Sequence, residues 1–298
     1  MLFLDVIMPV VLVAGVGYVF GRCIKIGVTT VTKLAFYVFT PALIFQSLVT
    51  HSIAVEDFTY TVTFLAIVFA ILFGLSLVGL RLLGWDPDTR AASILSLCFS
   101  NTGNYGLLIL LFGFGEAAFT LGVIYMVTQM AFVVIFGVGV ASWQEGISIR
   151  KLMLSILKVP WFYAFLLALV VRTFSISLPL AISRPIELLA QAAIPFQLVL
   201  LGIVLSGVRV RGLLHQAALL TAAKLLIPPI VAWGVTAALG IEGLLRVVLI
   251  VEASTPTAVN ALILSLQYDR RPDLTASVVL LTTVGNLATM SVLLTLLR

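Results

Sequence analysis

The chain has 298 residues, of which 62% are hydrophobic and only 10% charged, and its formal net charge is +5. A mean hydropathy of +1.23 excludes a soluble globular domain. Apolar runs of about 20 residues, the length a helix needs to cross a bilayer, recur from end to end. The positive charge would suggest nucleic acid in a soluble protein; here loop residues at a membrane surface account for it, and no nucleic-acid partner is expected.

Hydropathy and punctuation place ten spans near residues 2–20, 28–49, 58–80, 91–112, 117–142, 152–171, 184–206, 213–239, 244–266 and 274–297. No Lys or Arg precedes the first apolar run, MLFLDVIMPVV, and no small-residue cleavage pattern follows it, so it reads as a span rather than a leader. Cys23 lies in a short basic loop and Cys98 within a span, a separation that suggests packing residues rather than a disulfide or a metal site. Connections are short, and no shift in composition marks a soluble domain. The expected fold is an all-α polytopic membrane protein forming a single unit, 1–298.

Basic residues set the expected orientation. Alternate loops hold Arg22 and Lys25, Arg81 and Arg90, Arg150 and Lys151, Arg209 and Arg211, and Arg270 and Arg271, whereas the other side holds Arg172, Arg184, Arg246 and Arg298. Ten against four puts the first side in the cytoplasm and both termini outside.

The chain also reads as an internal repeat, 1–145 against 150–298. Pro9 and Pro160 are 151 residues apart, Pro41 and Pro195 are 154 apart, and the polar clusters centred on Thr102 and Pro256 are again 154 apart. With five spans per copy, an odd number, the second copy enters the membrane upside down. Inverted repeats with matched interruptions are a recurrent build of secondary transporters, whose site lies where the broken helices meet.

The two clusters carry the expected chemistry. Gly103 and Gly106 are expected to loosen span four, and Pro256 removes an amide hydrogen bond from span nine. Backbone groups freed in hydrocarbon cost several kcal/mol each, so such breaks survive only where protein or a wet cavity satisfies them. Crossed half-helices would aim free N–H groups and positive dipole ends at one point, a site for an anion. Asn101, Thr102, Gly103 and Asn104 in span four and Ser254, Thr255, Pro256, Thr257 and Asn260 in span nine are the candidate substrate-binding residues. Glu252, about 12 Å into its span at the helical rise, is a candidate for a coupling cation or a proton. Lys224, at comparable depth in TAAKLLIPP, is its candidate ion-pair partner and a second coupling residue. Asp5, Lys33, Lys158 and Glu187 lie near span ends and are expected to snorkel.

Enzyme chemistry finds little support. His51 and His215 fall at span ends, with no HExxH, phosphate loop or G-x-S-x-G.

SNTGNYGLLIL, EASTPTAVNALIL, FTPALIF and KLLIPP together resemble the auxin efflux carrier family, along essentially the whole chain. The resemblance implies ten spans with both ends outside, a scaffold of spans one, two, six and seven, and a transport unit of spans three to five and eight to ten. Plant members export auxin; prokaryotic members of this size are associated with dicarboxylates such as malonate and malate, which points to a bacterial inner membrane. Relatives form homodimers through the scaffold. The long central loop of plant members is replaced here by SWQEGISIRK, and Leu107 and Leu108 stand where some members have a proline, leaving glycines to break span four. The bile acid:sodium symporters are distantly similar, with a sodium-binding Glu near the crossing, where Glu252 stands here. The expected function is secondary transport of small organic anions by elevator-type alternating access, coupled to H⁺ or Na⁺, with no other cofactor. The alternatives are a drug/metabolite-type exporter, whose termini would face the cytoplasm, and a sensor or channel using the same cavity.

Overall fold

A computed structural model describes residues 6–24, 26–51, 54–142, 150, 157, 159–208 and 214–297; Asp5, Lys158 and several of the loop cations lie outside them. Among the described residues the regular elements are all helices. They are α1 (Met8–Cys23), α2 (Val28–Thr50), α3 (Val55–Leu82), α4 (Pro87–Cys98), α5 (Thr102–Ala141), α6 (Pro160–Thr173), α7 (Leu180–Gly207), α8 (Leu214–Ala238), α9 (Gly243–Ala253), α10 (Val259–Gln267) and α11 (Pro272–Leu296). Six of these, α2, α3, α5, α7, α8 and α11, are long and apolar enough to cross a membrane, and α1 and α6 are shorter apolar helices. Gly115, at φ 81° and ψ −173°, breaks α5 into 102–114 and 116–141; only glycine adopts that geometry without strain. α4 followed by 102–114 corresponds to the expected fourth span, and α9 followed by α10 to the ninth.

The prolines divide by position. Pro9, Pro87, Pro160 and Pro272 fall in the first turns of their helices, where a missing N–H costs nothing. Pro41 instead follows a wide turn over Ala35–Phe39, in which the Thr40 amide reaches back to the Ala35 carbonyl, so α2 continues past the proline. α4 opens on an Asp86 cap whose carboxylate accepts from the Asp88 and Thr89 amides at 3.2 and 3.0 Å. The Thr89 hydroxyl, and less strongly the Thr89 amide and the Arg271 charge, hold the Asp86 carboxyl below its usual value.

Two groups of helices result. In the first, α1 lies along α7 at backbone contact: a side chain at Gly17 would overlap the Val199 carbonyl, and one at Gly202 the Ala14 carbonyl. Small residues give membrane helices this close packing, since lipid tails are as apolar as any side chain. α2 packs on α6 through a cluster that includes Ile44, Leu48, Trp161 and Ala168, and on α7 with Phe39 and Phe196 ring centroids 4.5 Å apart. The second group packs α3, α4, α5, α8, α9 and α11 around Phe64, Leu95, Leu249, Ile250 and Met290. Here α3 meets 116–141 through Phe64 and Tyr125, while α8 lies on α11. Arg172 on α6 closes the far end of α2, donating to the carbonyls of Leu48 and His51. Arg246 sits over the Trp233 ring at 5.0 Å. Two of the four cations on the sparser side are thus held by contacts of their own.

Candidate functional site

Both interruptions are short extended stretches, and they pair with each other. After α4 the chain extends at Phe99 (φ −111°, ψ 124°), and before α10 it extends at Ala258 (φ −64°, ψ 141°). Ser100 and Thr257 face one another as an antiparallel bridge, closed by Asn101 N–H to the Pro256 carbonyl at 2.8 Å and Ala258 N–H to the Phe99 carbonyl at 3.0 Å. The fourth span therefore breaks at Phe99–Asn101, upstream of Gly103 and Gly106, which correct sequence reading to this extent: the glycines do not make the break. Pro256 contributes a carbonyl as well as a missing amide.

Side chains satisfy the carbonyls that the breaks release, as hydrocarbon demands. Gln129 Nε2 donates to Ser100 O at 2.6 Å, Thr257 Oγ1 to Ser96 O at 2.9 Å, Ser100 Oγ to Ala253 O at 3.1 Å and Asn286 Nδ2 to Ser254 O at 2.8 Å. Ser254 and Thr255 hydroxyls turn back to the carbonyls of Ile250 and Glu252. These residues build the crossing, and none of Ser254, Thr255, Pro256 and Thr257 lines the cavity beside it.

Lys224 belongs to this framework too. It is fully buried, and its ammonium donates to Leu97 O at 3.1 Å and Ser100 Oγ at 2.8 Å, at the carboxyl end of α4 where a helix dipole favours a cation. The expected ion pair with Glu252 is not made: Lys224 faces α4, and both carboxylate oxygens of Glu252 are without a hydrogen-bond partner among the described residues. Glu252, also fully buried, lies against two glycines instead. A side chain at Gly106 would collide with its carboxylate, and one at Gly122 would meet Oε1 at 3.0 Å. Gly106 makes room for a carboxylate.

Beside the bridge lies a cavity of about 50 Å³, walled on one side by α2 and α7 and on the other by α5 and α10. Asn101, Thr102, Gly103, Asn104 and Asn260 line it, five of the nine expected substrate-binding residues. The amino ends of α5 and α10 open here, and the N–H groups of a first helical turn have no partner within their own helix. Asn101 is 4% exposed and its Nδ2 has no partner. Gly103 keeps the space open, since a side chain there would meet Met126 Sδ at 3.0 Å and Gln197 Oε1 at 3.5 Å. The cavity offers hydrogen-bond donors and two positive helix ends, with no Lys, Arg or His in its lining.

Sequence reading passed over five of its polar residues: Thr32, Thr40, Ser100, Gln129 and Gln197. Gln197 Nε2 donates to Thr40 Oγ1 at 3.3 Å, leaving Oε1 unpartnered. The available signal was a lone glutamine inside each of two long apolar runs, VTQMAF and IPFQLV.

A many-helix membrane protein, interrupted where two broken helices of the chain pair beside a polar cavity, is built as a transport protein. A family model described as membrane transport protein matches residues 2–294, and the chain belongs to that family, which is the auxin efflux carrier family. An uncharacterized transporter of Methanothermobacter thermautotrophicus is similar, with 32% identity over 132 residues. That stretch covers 44% of this chain and 43% of the relative, so less than half of the relative's length is matched.

Proposed function

We propose that the chain is a secondary active transporter of small organic anions, holding the substrate carboxylate at the crossing. The convergence of two helix amino ends with the unpartnered Asn101 amide in one cavity carries the reading. Each end supplies roughly half a positive charge, enough to favour an anion without a cationic side chain. The substrate class is a dicarboxylate such as malonate or malate, or an auxin-like carboxylate.

The architecture behind this reading is ten spans in two inverted repeats. Its support is reciprocal packing: α1 on α7 mirrors α6 on α2, and α3 on 116–141 mirrors α8 on α11. The first helix group acts as scaffold and the second as the transport unit, with the cavity between them, as an elevator-type movement requires. Glu252 is the coupling residue. Its carboxylate has no compensating group in this conformation, so the binding of a proton or sodium ion balances it. The protein sits in the bacterial inner membrane with both termini outside, its homodimer interface on the scaffold.

Uptake of labelled malonate and malate into proteoliposomes, under imposed proton or sodium gradients, tests the reading. Wild type concentrates one of the acids under one gradient; Glu252→Gln retains exchange but cannot concentrate. Absence of uptake of either acid refutes the dicarboxylate assignment, and concentrative uptake by Glu252→Gln refutes the coupling role.

A further inference from the structure

A second cavity, of about 270 Å³, lies between α3, α4 and the end of α5, away from the crossing. Its walls are apolar, formed by Phe73, Leu77, Leu80, Ile94 and Val140, while Arg81, Arg90 and Arg270 also line it. Along α3 the distance from Phe73 to Arg81 is about 12 Å at the helical rise, so the cavity runs from the level of the loops into the depth of the membrane.

The three arginines differ in what they already hold. Arg270 pairs with Asp88 at 2.7 Å and donates from Nε to Ala141 O at 2.8 Å, which fixes the loop before α11 against α4 and α5. Asp86, the other acid of the adjoining turn, is engaged as the cap of α4. The side chains of Arg81 and Arg90 make no ion pair or hydrogen bond among the described residues, and Arg90 Nε is shut off from solvent without a partner. Two guanidinium groups are therefore left uncompensated at the rim of an apolar cavity, and the neighbouring carboxylates are occupied elsewhere.

We infer that this cavity is a binding site for an anionic phospholipid, with the phosphate between Arg81 and Arg90 and an acyl chain along the Phe73–Leu80 face of α3. A phosphate supplies the planar forks of two arginines with acceptor oxygens, and basic pockets at the ends of membrane helices hold such headgroups. Free phosphate would satisfy the guanidinium groups equally well. It would leave the apolar walls unfilled, and those walls commit the site to a lipid.

The test is thermal unfolding of the purified full chain in detergent, with added phosphatidylglycerol, phosphatidylcholine or inorganic phosphate. Phosphatidylglycerol is expected to raise the midpoint by several degrees, the other two to leave it in place. Arg81→Gln with Arg90→Gln abolishes that shift at an unchanged starting midpoint. Val140→Trp, which fills the cavity and keeps both arginines, abolishes it as well and serves where the double variant unfolds. An equal shift with phosphatidylcholine, an equal shift with inorganic phosphate, or a phosphatidylglycerol shift that survives both variants overturns the assignment.

Discussion

At the scale of single residues, the most consequential contact is between Glu252 and Gly106. The carboxylate occupies the volume that any side chain at position 106 would need. Gly106→Ala forces the carboxylate or the α5 backbone to shift, and overpacking of this kind costs about 1–3 kcal/mol. In a Glu252→Ala background the space is vacant and the cost disappears. Thermal unfolding of the four proteins in detergent measures that coupling; an equal loss from Gly106→Ala in both backgrounds would show that the glycine is needed for its backbone instead. The glycine was legible in the sequence as a special position, and its reason was not. Sequence records conformational freedom at a residue, whereas the identity of the neighbour that claims its space depends on two helices meeting. The same gap explains Lys224 and Glu252. Position along a span gives depth, and depth made them plausible partners, but rotation about the helix axes aims Lys224 at α4. Asn101, Thr102, Asn104 and Asn260 were legible because they cluster. Gln129 and Gln197 stand alone in apolar runs, where an amide that caps a distant carbonyl looks the same as one that lines a site.

At the scale of elements, the contact between α1 and α7 depends on glycines rather than on large side chains. Gly17 and Gly202 each face a carbonyl of the other helix, and backbone has no rotamer by which to yield. Gly202→Leu should therefore separate the pair and cost about 3 kcal/mol or more, at the upper end for overpacking. Gly207, five residues along the same helix, faces open space, so Gly207→Leu is expected to stay within about 0.5 kcal/mol of wild type. Loss of the monodisperse peak on size exclusion after mild heating, for the first variant and not the second, is the expected outcome; equal behaviour of the two would mean that α1 and α7 are not in close contact in the membrane. Prolines teach a related lesson about elements. Pro9 and Pro160 were useful as landmarks of a repeat, yet they start helices, while the fourth span breaks at a stretch, FSN, that contains neither proline nor glycine. That break is stabilised by its pairing with the ninth span, a tertiary cause that local propensity does not carry.

At the scale of the whole molecule, the cavity has one wall from the proposed scaffold and the other from the proposed transport unit. Around it, Leu200 and Leu201 of α7 and Ala35 of α2 share a single apolar cluster with Val259 and Leu262 of α10 and Val279 of α11. If the second group carries the substrate across the membrane past the first, this cluster must come apart in every cycle. A greasy surface without interlocking charge suits such sliding, because apolar contact can re-form in a new register at little cost. The pair Leu201→Cys and Leu262→Cys, both in that cluster and neither lining the cavity, in a background with Cys23→Ser and Cys98→Ala, joins the two sides when treated with a short bifunctional maleimide. Cross-linked protein is expected to retain substrate binding, because the crossing itself is untouched, and to lose uptake in proteoliposomes, while either single cysteine treated in the same way keeps it. Full uptake by the cross-linked pair would place the moving boundary elsewhere and leave the cavity walls as parts of one rigid body. Loss of binding together with uptake would show instead that the linker blocks the cavity, and a longer, flexible linker that restores binding and uptake together would then measure how far the two walls must separate.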